Sequence, residues 1–308
     1  AEFVKGTVNY EELKALFQSG LNNLSLKEKM NAYLEQEAGK TVLRMQIWEE
    51  KKEWWKANSE NLTEMEQSYD ERSICRMGEM ADKIGDIDLL YPSYSLEMIF
   101  GKFLDWIGVP FILCPIVLLI SMPVFSNEHV SGMKEQIDAS IKGRNPTVTA
   151  KYFAAVSSVF LLLSIVYWFT ILAETALFKD WDLMKEGAKY FHISASWENF
   201  LLTDESVFQI LIRGYLECVV CGVSMCSVLC LLSALMKTNY GSMLSGMAFV
   251  YFPILADQYL YSNWKYLLPG MGMMVSRVYS DFNFVNIAGY PVPVRDLIIP
   301  FNILVAAV

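Results

Sequence analysis

Few residues in this chain have the types and spacing that chemistry requires. Cys218-x-x-Cys221 has the spacing of a redox or zinc pair. It lies within LECVVCGVSMCSVLCLL, with Cys226 and Cys230 in the same apolar run and no polar second shell, so these thiols are expected to be small packing residues of a membrane helix. Gly39-Lys40-Thr41 has the form of a phosphate-loop tail, but the first glycine of that motif would fall on Leu34, and the preceding residues have helical rather than strand patterning. His129 has no second histidine in register, and His192 is far away in the sequence, so no histidine-ligated metal site is expected. Ser245-Gly246 sits in an apolar run without a nucleophile elbow. No catalytic residue and no bound metal are expected.

The remaining candidates are charges in apolar surroundings: Glu174, Arg213, Glu217 and Asp257. Left unpaired at a bilayer centre, each costs roughly 2.5–3.5 kcal/mol or more, so they must pair or line a polar path. Arg213 and Glu217 are i,i+4 on one helix and can neutralise each other. Asp257 is expected at a similar depth, either as part of a translocation path or in an ion pair between the two helices that carry Arg213 and Asp257.

These residues need elements of a particular kind to hold them. The chain has 308 residues, 54% hydrophobic and 19% charged, and its charges are crowded into the first hundred residues. That asymmetry implies two environments, water and lipid. A net charge of −9 excludes a nucleic-acid partner, which would require a basic surface. The fold class is all-α, a polytopic membrane helix bundle with a helical domain over residues 1–100 outside the cytoplasm and a membrane domain over 101–308. In the polar part, Ser25 and Glu28 form a capping box, and Leu34, Val42, Met45, Trp48 and Trp55 make one helical stripe.

Four complete spans are expected at about 104–125, 152–172, 207–236 and 243–260, with an apolar run from 297 to 308 as a fifth. Pro110, Pro115 and Pro123 lie in the first, and membrane helices tolerate proline when neighbours satisfy the freed carbonyls. The last run covers about 18 Å of a ~30 Å hydrocarbon layer, so a truncated final span is expected. Lys134, Lys142, Arg144, Lys151 and Lys237 in short connections favour a cytoplasmic 127–151 loop. The polar N-terminal region and the 181–204 and 263–294 loops then lie outside, with Trp181, Trp197, Trp264, Tyr259 and Tyr261 as an aromatic belt.

The loop reads NEHVSGMKEQIDASIKGRNPTVTAK: Glu128 leaves the membrane, Gly132 turns, a short amphipathic helix runs from about Met133 to Ile141, Gly143-Arg144-Asn145-Pro146 breaks it, and Lys151 opens the next span. Met133 and Ile137 are one helical turn apart and can face a partner together. This arrangement resembles the first cytoplasmic loop of permeases of type-2 ATP-binding-cassette exporters, with Glu128, Gly132, Arg144 and Lys151 at the family's glutamate, glycine, arginine and lysine. The resemblance extends at topology level to the tight turn near Lys237 and to Leu268-Pro269 before the last span; Gln136 and Asp138 make the short helix more polar than the family pattern.

The resemblance implies about six spans in the full protein, with the first upstream of Ala1. It implies a multi-pass cell-membrane permease without an ATPase site of its own, exporting a peptide, lipid, glycan or drug-like substrate by alternating access. ATP and Mg would be held by a separate cytoplasmic ATPase subunit, coupled through Glu128, Gly132, Met133, Ile137, Arg144 and Lys151. A second permease copy or homologue and membrane lipid would complete the assembly. The alternative is a membrane-bound sensor or immunity protein whose outer helical domain binds a ligand without transport.

Overall fold

The structure is a computed structural model that describes residues 50, 53, 57, 69–85, 91–92, 96–105, 108–133, 144–178, 181–188, 191–192, 203–255, 257–259, 263–279 and 282–307. The chain divides into two compact units, Ala1–Tyr91 and Pro92–Val308. In the first, helix α1 (Tyr69–Ile84) turns Met80, Ala81 and Ile84 inward and leaves Arg76 and Glu79 exposed as an i,i+3 ion pair. The capping box at Ser25 and the stripe from Leu34 to Trp55 lie outside the described residues.

The second unit is built of helices. A short π-helix, α2 (Glu97–Phe103), precedes the long α3 (Val109–Ser131). Helices α4 (Arg144–Phe178), α5 (Val207–Leu235) and α6 (Asn239–Leu255) follow. The chain then folds into two short helices, α7 (Pro269–Gly272) and α8 (Val275–Tyr279), and a hairpin of β1 (Phe284–Ile287) and β2 (Tyr290–Pro293), before α9 (Val294–Ala307). The hairpin turns on Ala288 and Gly289, both at positive φ (53° and 89°), the geometry of a two-residue turn that follows strand twist. Asn286 accepts the Gly289 amide at 2.8 Å to hold it.

Among the described residues, three helices are long and apolar enough to cross a membrane, as in a membrane protein: Val109–Ser131, Pro146–Leu177 and Val207–Leu235. Of the apolar window in the second, 28% is buried, against 56% in each of the others, so α4 is peripheral and α5 central. Phe153, Phe160, Leu161, Ile165, Phe169 and Leu172 of α4 accordingly face outward. The core gathers on α5, whose Cys218, Cys221, Met225, Cys226 and Leu229 pack with neighbours from α3, α4, α7 and α9.

Several boundaries differ from the sequence expectation. The first long helix begins at 109 rather than 104, because Leu104 and Asp105 form a turn, and at Gly108 a Cβ would lie 1.9 Å from the Phe103 carbonyl oxygen. The second reaches back to Arg144, so Arg144-Asn145-Pro146 starts a helix instead of closing one; proline fits a helix's first turn, where no amide bond is lost. At 35 residues it spans about 52 Å, more than the hydrocarbon layer. The helix bearing residues 243–255 stops at Leu255, two residues before Asp257. Helix α5 keeps the expected length and starts with a cap: Ser206 and Gln209 bond each other's backbone amides at 3.3 and 2.8 Å.

The segment 263–294, expected as an outer loop, packs closely on the bundle in its described residues. Leu267, Met271, Met273, Met274 and Val275 are all buried. Gly272 permits this approach, since a Cβ there would sit 2.9 Å from Cys221 Sγ and 3.0 Å from the Tyr266 carbonyl oxygen.

Prolines shape α3. Its first turn is π-helical, with the Cys114 amide reaching back five residues to Val109. Pro115 has no amide with which to continue that register, so the Pro110 carbonyl loses its donor, and the Tyr251 hydroxyl of α6 takes its place at 2.8 Å.

Candidate functional site

The expected coupling residues sit where α3 gives way to α4. Glu128 on the last turn of α3 and Lys151 near the start of α4 form an ion pair, with the glutamate the more buried partner. Helix α3 stops at Ser131 because Gly132 adopts φ +69°, a left-handed cap that glycine takes without strain. Met133 follows and is exposed, as are Val130, Leu235 and Tyr240 nearby in the sequence of this end. Asn127 and Asn239 bond side chain to side chain, tying the ends of α3 and α6. Ile137 lies outside the described residues, as does most of the expected helix from Met133 to Ile141. Arg144 is the first residue of α4. Thus Glu128 and Lys151 are brought together, and Gly132 and Met133 adjoin them.

At the opposite end of α5 the charges form two clusters. Arg213 donates to Asp296 Oδ1 at 2.8 Å, to Glu205 Oε1 at 3.2 Å and to the Arg295 carbonyl at 3.1 Å. Its Nε lies 3.5 Å from Glu217 Oε1, confirming the i,i+4 pair expected on this helix. Glu217 is fully buried, and Tyr279 of α8 donates to it at 3.1 Å. Burial, reinforced by the Glu217 carboxylate, pushes the Tyr279 phenol above its usual range, which keeps it a donor. The Arg213 guanidinium also stands 5.8 Å from the Tyr279 ring centroid.

The second cluster centres on Arg277 of α8, which donates to Asp105 at 2.9 Å and to Asp257 at 2.5 Å. Lys265 lies 2.6 Å from the other Asp257 oxygen. Two cations therefore meet two carboxylates, and the burial of Asp105 is compensated.

This arrangement corrects the expected ion pair between Arg213 and Asp257. Because α6 ends at Leu255, Asp257 lies on the turn Asp257–Tyr259, beside Lys265 of the next turn and beside α8. Arg213 instead faces α9 and its Asp296. Sequence reasoning did not assign Asp105, Glu205, Lys265, Arg277, Tyr279 or Asp296 to these clusters. One signal was present: Asp105 and Arg277 are single charges in apolar segments, and each requires an opposite partner from elsewhere in the chain. Glu174 is half-buried near the end of α4.

Other candidates resolve as packing. All six cysteines are free thiols, and Cys218 Sγ points at the Met273 carbonyl at 3.6 Å. Among the described residues, no three His, Cys, Asp or Glu side chains are placed to share a metal ion. Ser245 donates to the Ser242 carbonyl of its own helix at 2.9 Å. Gly39-Lys40-Thr41 lies outside the described residues. The chemistry on view is fastening of helices by charge at one end of α5 and an ion-paired loop base with exposed apolar side chains near the other. No protein-family profile, curated protein or solved structure matches this chain.

Proposed function

We infer that this chain is the membrane-spanning permease subunit of an ATP-driven exporter of the type-2 ATP-binding-cassette kind, in a multi-pass cell-membrane setting. The observation that carries this reading is the Glu128–Lys151 ion pair, which joins the two ends of the loop whose residue order resembles that of such permeases. A clamped loop base lets a push on the loop move the ends of α3 and α4 together. Exposed Val130, Met133 and Tyr240 at the same end support docking of a partner, here a cytoplasmic ATPase that holds ATP and Mg. On this reading the 127–151 loop is cytoplasmic and the arginine clusters lie near the outer face. Two such permeases would move a peptide, lipid, glycan or drug-like substrate by alternating access.

The test is purification of the tagged chain from its native membranes in mild detergent, with identification of what accompanies it. A phosphate-loop ATPase whose hydrolysis responds to the permease is expected. Glu128→Lys and Lys151→Glu should each uncouple that hydrolysis, and the double charge swap should restore it in part. Recovery of intact, folded chain consistently free of any such ATPase would overturn the reading in favour of a non-transporting sensor or immunity protein.

A further inference from the structure

We propose that Met122–Pro123 is a hinge in α3, held by hydroxyls from α5 and α6, about which the loop-bearing part of the helix swings. Pro123 has no amide to give to the Leu119 carbonyl, so the ladder of α3 is interrupted at Met122. Met122 itself keeps helical dihedrals (φ −64°, ψ −39°), so the helical path continues while missing the bond that would stiffen it.

Three buried serines gather at the gap. Ser233 of α5 accepts the amides of Phe125 and Ser126 at 3.1 and 3.0 Å and donates to the Met122 carbonyl at 2.5 Å. One donor and two acceptor positions are all that a hydroxyl offers, and Ser233 uses each of them. Ser242 of α6 donates to the same carbonyl at 3.0 Å, with Met122 Sδ as an alternative acceptor at 3.3 Å. Ser126 reaches back to that carbonyl from its own helix at 2.9 Å. The Met122 carbonyl thus receives three hydroxyls, more than its two lone pairs accommodate well, and any one donor can leave without stranding it.

This is a joint suited to movement. Hydroxyls rotate and exchange partners locally, whereas the charges near Arg213 and Arg277 cannot part without large desolvation costs. Both segments pack on α5, α4 and α6, but polar ties at the loop side belong to the far one. Before the gap, Cys114, Val117 and Leu118 are buried in the core against α5 and α4. After it, Pro123–Ser131 is tied to α4 by Glu128–Lys151 and to α6 by Asn127–Asn239. Those ties join the far segment to the loop that follows it as one unit, and its tilt about the serine joint proceeds by exchange among the hydroxyl donors of the Met122 carbonyl.

The test uses the full chain in lipid nanodiscs, without an ATPase, so its outcome is separate from the exporter reading. Genetically encoded spin labels at the exposed positions Leu119 and Val130 report the distance across the gap. Wild type should give a broad or two-peaked distribution, and Pro123→Ala, which restores the missing ladder bond, a single narrower one. In hydrogen exchange, Ser233→Ala should speed the Phe125 and Ser126 amides about tenfold, the worth of one hydrogen bond, while Ser233→Thr, which keeps the hydroxyl, should leave them within about twofold. Equal distance distributions in wild type and Pro123→Ala would overturn the hinge, as would unchanged exchange at those two amides in folded Ser233→Ala. If Ser233→Ala does not fold, the comparison of wild type with Pro123→Ala decides alone.

Discussion

Arg277 and Ser233 each join elements far apart in the chain, yet one does so with charge and the other with a hydroxyl. Arg277 binds Asp105, 172 residues away, and Asp257 besides, closing a balanced cluster with Lys265. Ser233 joins the Met122 carbonyl to the Phe125 and Ser126 amides, beside the bond that Pro123 cannot make in α3. A buried ion pair is costly to separate, because each partner left alone keeps an uncompensated charge. A hydroxyl bond is worth about 1 kcal/mol net and is readily exchanged for another. The Arg213 and Arg277 end of the bundle is therefore fastened, while the end with the loop can yield.

The hardest blow to this contrast should be Arg277→Ala, which takes a cation from buried Asp105 and one of two cations from Asp257. A loss of about 3–5 kcal/mol is expected, seen as a collapse in the yield of monodisperse protein or in its thermal unfolding temperature. Asp105→Asn with Arg277→Gln should recover part of it. Arg213→Ala should follow, at about 3 kcal/mol, because it takes the cation from buried Glu217 and leaves it the Tyr279 hydroxyl. Loss of folded protein, relieved by adding Glu217→Gln, would mark the cluster as structural; normal folding with lost transport would make it a polar lining of the path.

Smaller effects sharpen the comparison. Gly272→Ala places a methyl group against Cys221 Sγ and the Tyr266 carbonyl, and since the carbonyl is backbone the segment must shift. A cost of about 1–3 kcal/mol is expected, read from thermal unfolding. Tyr251→Phe removes the hydroxyl from the orphaned Pro110 carbonyl and should cost about 1 kcal/mol, with faster hydrogen exchange confined to the start of α3. Glu128→Gln should change stability least, by about 1 kcal/mol or less, since both partners of that pair reach water. Its effect on any coupled ATPase should be much larger than its effect on folding.

Much of this was legible from residue order. The apolar runs gave the helices, because a run of that length in lipid can satisfy its backbone only as a helix. The i,i+4 relation gave Arg213–Glu217, because helical spacing alone brings those side chains together. Pro110, Pro115 and Pro123 marked where carbonyls would be freed. The order Glu128, Gly132, Lys151 pointed to the loop, although Ile137 lies where the structure gives no description. The packing of 263–294 was not legible, because its glycines and prolines carry turn signals, while its burial depends on Gly272 meeting α5.

The sequence alone determined the long apolar helices, the positions of their breaks and the helix-local pair, since each follows from periodicity or from a missing amide within a few residues. Tertiary structure decided which charge meets which. Asp257 could have paired with Arg213 by depth, but the end of α6 at Leu255 turned it toward Arg277 and Lys265. It also decided that Tyr251 satisfies the Pro110 carbonyl and that Ser233 and Ser242 bond the Met122 carbonyl beside Pro123. A freed carbonyl requires a donor wherever it lies, but only the packing of helices distant in sequence determines which donor is within reach.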